Sequence, residues 1–176
     1  MLVDQSQVAL GNEQINFGDH FVSDQTSGGA NIGIDIEDVG SVVPYLWLSG
    51  AVNSATTCVK VGAGSAYQVV MVGAHIVNCD VGIQNDSDVS VIAANGTYFD
   101  HNPVAAVNNS ATNKKFSITG AKVNFGPNTF TGLIALQQVN AGGGVSSAAL
   151  ANATWAAAAA NTAIVGAGTT VGRGWR

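Results

Sequence analysis

The stretch VMVGAHIVNC, from Val70 to Cys79, and the stretch AANGTYFDHN, from Ala93 to Asn102, follow one pattern. Each has a short apolar segment, then a glycine and a small residue, then alternating apolar and polar positions that end near an asparagine. The glycine recurs at spacings of 23, 23 and 24 residues, at Gly50, Gly73, Gly96 and Gly120. A fixed period in this range marks a repeat architecture.

A second short segment precedes each glycine segment, near Ile34, Val59, Ile83 and Val107. The segments alternate with period two and are separated by glycine, asparagine, aspartate and serine, which are turn-forming residues. No helical stripe fits between them. Two to three strands in about 23 residues describe one rung of a parallel β-helix. The sequence therefore predicts an all-β fold, a parallel β-helix built as a solenoid of such rungs.

Small residues and amides mark the predicted corners of this solenoid. The recurring glycines allow the chain to bend between strands. Asparagine side chains at equivalent turns can stack on one another as a ladder along the axis. The candidates for such a ladder are Asn53, Asn78 and Asn102.

The two ends of the chain differ from the repeat. Residues 1–30 have alternating apolar positions and predict a cap or a partial rung, ahead of a β-helix over residues 31–127. After Pro127 the period fades into a segment rich in alanine and glycine. Residues 128–176 are therefore predicted to form a C-terminal cap or oligomerisation segment, because the open ends of a solenoid must be covered.

Composition limits the partners. Only 10% of the residues are charged, against about 25% in an ordinary soluble domain, and the net charge is -5. A nucleic-acid partner, which needs a basic footprint, is not expected. The first ten residues lack the features of a signal peptide, and no window has the ~18 apolar residues of a membrane span. This balance of few charges and many amides and hydroxyls leaves neutral or uncharged partners, such as sugars, open.

Cys58 and Cys79 are the two cysteines, 21 residues apart. Their spacing matches no metal-binding motif. The favoured interpretation is a pair of buried thiols on neighbouring strands, and a disulfide is the alternative.

The repeat resembles a known family. The series GIDIEDVGS…WLSGAVNS, CVKVGAGS…VMVGAHIVNC, VGIQNDSD…AANGTYFDHN and VAAVNNSAT…SITGAKVNF is similar to the pectin-lyase-like β-helix of bacteriophage tailspikes and tail fibres, over roughly residues 30 to 127. The resemblance implies a right-handed helix and a homotrimer. It also implies a location on the virion tail, outside the cell, and a host surface polysaccharide that is bound or cleaved.

Catalytic candidates are few. Cleavage of a polysaccharide commonly needs two carboxylates about 5 to 10 Å apart, and the acids Asp35, Glu37 and Asp38 form the densest group on the repeat. Asp100 and His101 are an acid beside a base, but adjacent strand residues point to opposite faces. The pectate-lyase and polygalacturonase patterns are missing, and the three histidines lack metal spacing. The chain is therefore expected to need no metal or cofactor, and its status as an enzyme stays open, with binding favoured.

Aromatic side chains can stack on the apolar faces of sugars, and four are candidate glycan platforms: Tyr45, Trp47, Tyr67 and Tyr98. The leading hypothesis is a tailspike or tail-fibre component that binds a host surface polysaccharide or serves as a structural tip. One alternative is a polysaccharide depolymerase, a hydrolase or lyase acting on the β-helix surface. Another is a structural virion or surface protein without a glycan ligand.

Overall fold

A computed structural model describes residues 2–3, 14–17, 32–37, 45–125, 127–141, 163–164 and 173–174. Seventeen strands of this part of the chain form three parallel sheets. Sheet A contains β1 (Leu2–Val3), β3 (Ile32–Ile36), β6 (Thr57–Val61), β9 (Val81–Asn85), β12 (Val104–Asn108) and β15 (Thr129–Thr131). Sheet B contains β2 (Gln14–Phe17), β4 (Tyr45–Leu48), β7 (Gln68–Val72), β10 (Val91–Asn95), β13 (Phe116–Thr119) and β16 (Ala135–Gln137). Sheet C contains β5 (Ala51–Asn53), β8 (His75–Val77), β11 (Tyr98–Asp100), β14 (Lys122–Asn124) and β17 (Asn140–Ala141).

The chain visits sheets A, B and C in order and then returns to sheet A, one strand further along the axis. In sheet A, Ile32 pairs with Thr57, which pairs with Val81, then Val104, then Thr129. These partners lie 25, 24, 23 and 25 residues apart and mark four turns. The predicted parallel β-solenoid is therefore confirmed, with rungs of about 24 residues.

The core is built from the inward positions of each strand, which alternate with outward ones. Equivalent positions on successive rungs stack, so the apolar side chains form continuous columns along the axis. Sheet B gives the column Leu46, Val69, Ile92 and Phe116, and sheet C gives Val52, Ile76, Phe99 and Val123, all without exposed surface. Burial of these columns is the main stabilising term, because each rung covers the apolar edge of its neighbour.

The corner between sheets B and C has a constant length. Two residues separate β7 from β8, β10 from β11 and β13 from β14. The first of the two has positive φ in each case, at Gly73, Gly96 and Gly120, and Gln138 takes the same position on the next rung. Gly50 does not occupy the position equivalent to Gly73 but the one after it, equivalent to Ala74. The hydrogen bonds show this: the Gly50 carbonyl accepts the amide of His75, just as the Ala74 carbonyl accepts the amide of Tyr98.

The corner between sheets C and A carries a hydrogen-bonded ladder. The amide of Ala55 donates to Cys79 Sγ (3.4 Å), the amide of Cys79 to Asn102 Oδ1 (3.0 Å), and the amide of Asn102 to Asn128 Oδ1 (3.3 Å). The predicted ladder therefore exists at Asn102. The predicted ladder positions Asn53 and Asn78 were wrong: Asn53 ends β5, and Asn78 precedes the ladder with φ 55°.

A disulfide joins Cys58 on β6 to Cys79, with a Cα–Cα distance of 5.8 Å. The favoured prediction of two free thiols was wrong. Because the separation of 21 residues is nearly one rung, the chain returns to its starting edge at Cys79. The disulfide therefore closes almost one full turn of the solenoid into a covalent ring.

The corner between sheets A and B varies in length. Six residues separate β6 from β7, five separate β9 from β10, seven separate β12 from β13 and three separate β15 from β16. A buried amide pair bridges two rungs at its start, where Asn85 Nδ2 donates to Asn108 Oδ1 (2.9 Å). The corner therefore has a fixed beginning and a loop of changing size.

The solenoid continues beyond the boundary predicted at residue 127. β15, β16 and β17 extend all three sheets as far as Ala141. Near the start, β1 pairs in parallel with β3, and β2 with β4. Beyond Ala141, the cap or oligomerisation segment expected for residues 128–176 lies outside the described residues, apart from the antiparallel pair β18 (Ala163–Ile164) and β19 (Arg173–Gly174). In the described ranges no helix is long and apolar enough to cross a membrane.

Candidate functional site

The outer faces of the three sheets differ in chemistry. Sheet B has an apolar patch on the outside of its earlier rungs, with Trp47, Val70 and Ala93 in one column, and with Val72 and Val91 exposed by 40% and 39%. Further along the axis the column continues with Ser117. Sheet A carries acids and a lysine on its first rungs. Sheet C carries aromatic rings, imidazoles, a lysine and an amide. The candidate chemistry is therefore on sheets A and C.

The acids of sheet A are matched by a lysine from the next rung. Asp35 pairs with Lys60 in the sheet register, and Lys60 Nζ lies 3.2 Å from Glu37 Oε1 and 3.9 Å from Asp35 Oδ1. Burial raises the pKa of the Asp35 carboxyl, and its hydrogen bond with Glu37 raises that pKa further, whereas the charge of Lys60 lowers it. The third candidate acid, Asp38, lies outside the described residues. Asp35, Glu37 and Lys60 form a small ion-pair cluster, in which Lys60 lies closer to Glu37 than to Asp35.

The raised pKa predicts a stabilising substitution at Asp35. A carboxyl whose pKa is higher in the folded protein favours folding at low pH, and that contribution is lost as the pH rises through the folded pKa. The ionised form of Asp35 therefore works against folding at neutral pH. Asp35→Asn is expected to raise the free energy of unfolding at about pH 7, by at most about 1 kcal/mol for a partly exposed group.

Urea unfolding at about pH 3 and about pH 7 tests this, since the gain should be absent where the carboxyl is protonated in both states. Asp80→Asn at an exposed turn is the control and should change little. A loss of stability at neutral pH in Asp35→Asn would show that the contact with Lys60 outweighs the cost of burial.

The outer face of sheet C has an aromatic and basic column. His75, Tyr98 and Lys122 are partners in register on β8, β11 and β14. The rings of His75 and Tyr98 are 5.3 Å apart at 37°, and Lys122 Nζ lies 5.3 Å from the centroid of Tyr98. Asn124 Nδ2 donates a 2.7 Å hydrogen bond to the Tyr98 hydroxyl. Tyr98 is half-buried and held in place, with His75 and Lys122 exposed beside it.

Asp100 and His101 meet at the end of the same face. The sequence pattern predicted opposite directions for their side chains, and this was wrong. His101 has φ 54°, which ends the strand and returns its ring to the side of Asp100, with Nδ1 2.8 Å from Oδ1. The His101 ring stacks on Phe125 at 5.2 Å and 21°, and Phe125 is 49% exposed.

These residues form one surface, named here the sheet C face: His75, Tyr98, Asp100, His101, Lys122, Asn124 and Phe125. It offers ring faces for stacking, and it offers amide, imidazole, ammonium and carboxylate groups for hydrogen bonds. Adjacent strands are about 4.8 Å apart, so equivalent groups repeat along the axis. Such a surface suits an extended ligand with regularly spaced polar groups.

The other candidate platforms lie elsewhere. Tyr45 and Trp47 stack on each other on sheet B, with ring centroids 6.4 Å apart at 29°. Tyr67 is wholly buried, so its expected role as a sugar platform is corrected: its ring belongs to the core. Of the four predicted aromatic residues, only Tyr98 lies on the sheet C face.

The neighbours of Tyr98 were not predicted from the sequence. His75 and Lys122 lie 23 and 24 residues from Tyr98, so the repeat period itself was the signal that places them beside it. Asn124 and Phe125 follow Lys122 on the same rung. Among the described residues, no group of three or more histidine, cysteine, aspartate or glutamate side chains is arranged to hold a metal ion.

The fold and this surface define a parallel β-solenoid with a polar, aromatic outer face. No protein-family model matches the sequence, and neither curated proteins nor solved structures gave a match.

Proposed function

We propose that this chain is a component of a bacteriophage tailspike or tail fibre and binds a host cell-surface polysaccharide through the sheet C face. The observation that carries the proposal is the column of His75, Tyr98 and Lys122 on three successive rungs. An aromatic ring flanked by exposed polar groups is the arrangement that recognises a sugar, which has an apolar ring face and hydroxyls at its edge.

The fixed position of Tyr98 supports binding. Its hydroxyl accepts a hydrogen bond from Asn124, and its ring contacts a histidine on the preceding rung and a lysine on the following one. Little side-chain freedom of Tyr98 is therefore lost when a ligand binds there. The rungs stack along the axis at the spacing of neighbouring strands, about 4.8 Å, and a polysaccharide chain can therefore lie across several rungs. Affinity then comes from repeated weak contacts rather than from one deep pocket.

The proposal includes a homotrimer on the virion tail. The apolar patch of Trp47, Val70, Val72, Val91 and Ala93 on the outer face of sheet B would be covered by the neighbouring copies, since contiguous exposed apolar surface marks an interaction site. The disulfide is consistent with a protein that functions outside the reducing cytoplasm. The sheet C face would remain accessible to the host surface.

The binding experiment uses immobilised bacterial capsular polysaccharides and lipopolysaccharides, with the intact chain as analyte. Tyr98→Ala is expected to weaken binding at least about tenfold, or about 1.4 kcal/mol, because the stacking surface is removed. Tyr45→Ala, on sheet B, is the matched control and should leave monomer affinity unchanged. Light scattering on the same samples reports the oligomeric state and shows whether either variant has altered it.

Two outcomes would contradict the proposal. If the wild-type chain binds no member of the panel, the alternative of a structural protein without a glycan ligand is favoured. If Tyr98→Ala binds as tightly as wild type, the sheet C face is not the binding surface.

Polysaccharide cleavage is a second candidate, because Asp35 has a raised pKa beside a second carboxyl group on Glu37. Glycoside hydrolysis commonly uses two neighbouring carboxyl groups, and a raised pKa favours the role of general acid for one of them. Release of new reducing ends or unsaturated sugars, lost in both Asp35→Asn and Glu37→Gln, would establish this activity. The absence of such products from every polysaccharide that the chain binds would exclude it.

A further inference from the structure

Lys122 is the cation of the sheet C face that has no acidic partner. Among the described residues, no carboxylate lies within 4.0 Å of its Nζ, which instead lies over the Tyr98 ring. Lys60 on sheet A shows the contrast, because it contacts Glu37 at 3.2 Å. An exposed ammonium held over an aromatic ring keeps its hydrogen-bond donors available to a ligand.

The acid on the same face is mostly covered. Asp100 lies 2.8 Å from His101 and is only 17% exposed, whereas His101 is 57% exposed. Asp35 and Glu37 lie on or directly after a strand of sheet A, and Asp86 and Asp88 lie in the corner between sheets A and B. Asp80 lies in the corner between sheets C and A, directly before β9. The groups that the sheet C face presents outward beside Tyr98 are therefore the Lys122 ammonium and the imidazoles.

This local arrangement differs from the charge of the whole chain, which is -5. A chain with that charge repels anionic polymers at long range, and the repulsion is screened beyond about 8 Å at physiological salt. Recognition of an anion therefore needs a local cation without an acidic neighbour, and Lys122 has that position.

We infer that the polysaccharide bound on the sheet C face is anionic and that Lys122 binds a carboxylate on a sugar residue stacked at Tyr98. This inference rests on the proposed function. The ammonium exchanges its contact with the ring for charge-assisted hydrogen bonds to the carboxylate. The imidazole of His75, one rung earlier, donates a hydrogen bond to the hydroxyls of the same sugar or of the next one.

A matched pair of lysine substitutions tests the inference. Lys122→Gln removes the charge and keeps a polar side chain of similar length. Lys114→Gln is the control, because Lys114 is exposed in a turn between sheets A and B and makes the same change in net charge. Both variants are measured against the same immobilised panel of capsular polysaccharides, grouped into acidic and neutral members.

The expected result is that the bound members are acidic, and that Lys122→Gln weakens their binding at least tenfold while Lys114→Gln changes it by less than twofold. Chemical reduction of the carboxylates in a bound polysaccharide to alcohols should weaken wild-type binding to the same extent. That reduction should have no further effect on Lys122→Gln. The salt dependence of binding should also become shallower in Lys122→Gln, because one ion contact is lost.

Three results are distinguishable. Binding of neutral members that requires Tyr98 but not Lys122 would overturn this inference and leave the proposed function in place. Equal binding of acidic members by wild type and Lys122→Gln would also overturn it. Failure of the wild-type chain to bind any member, acidic or neutral, would overturn the proposed function and this inference with it.

Discussion

Asn102→Ala is expected to lower the free energy of unfolding by about 3 kcal/mol. Asn102 has no exposed surface, and its side chain makes three hydrogen bonds. Its Oδ1 accepts the Cys79 amide at 3.0 Å, and its Nδ2 donates to the Ile76 carbonyl at 2.9 Å and to Asn128 Oδ1 at 3.3 Å. Alanine would leave the amide of Cys79 and the carbonyl of Ile76 buried without these partners.

Urea unfolding followed by circular dichroism measures the loss. Asn109→Ala is the matched control, because Asn109 is exposed and its side chain bonds only to Asp86 among the contacts described, at 2.6 Å. Its effect should stay within about 0.5 kcal/mol. If the two variants are equally stable, the ladder at the corner between sheets C and A does not stabilise the rungs.

Reduction of the disulfide between Cys58 and Cys79 is expected to cost about 3 kcal/mol. The bond closes a ring of nearly one rung, and its loss restores chain entropy to the unfolded state. Reduction also releases Cys79 Sγ from the bond that holds it in place, and this sulfur accepts the hydrogen bond from the Ala55 amide in the ladder. The effect should appear as a lower midpoint in urea when reductant is present.

The control for reduction is the double variant Cys58→Ala with Cys79→Ala, whose unfolding midpoint should not respond to reductant. Thiol titration of the denatured, unreduced wild-type protein should find no free thiols. Two thiols per chain in that titration, or an unfolding midpoint that reductant leaves unchanged, would contradict the disulfide.

Strand positions were predictable because period and alternation are both present in the sequence. Every rung repeats the same inward and outward order, and the alternation seen in the sequence agrees with the burial of Ile76 and Phe99. The corners were less predictable, because a shift of one residue there changes the role of a side chain. Gly50 missed the positive-φ position by one residue, and Asn78 missed the ladder by one.

The candidate site was predicted only in part. Tyr98 was identified by residue type, but Tyr67 has the same type and is buried, because it lies just before β7 rather than at an outward position of a strand. The residue type does not show whether a side chain points outward or into the core. The position of the residue in the strand register shows it. Cys58 and Cys79 show the same limit, since their separation was compared with metal motifs and not with the length of a rung.

The unequal corners have a consequence for how this chain can change over evolution. Between sheets A and B the loop grows and shrinks from rung to rung without disturbing the strands that follow, so residues can be gained or lost there at little cost. Between sheets B and C the length is fixed at two residues, and one extra residue would turn the next strand inside out. Sequence variation and inserted peptides should therefore accumulate along the corner between sheets A and B. The corner between sheets B and C should keep a constant length.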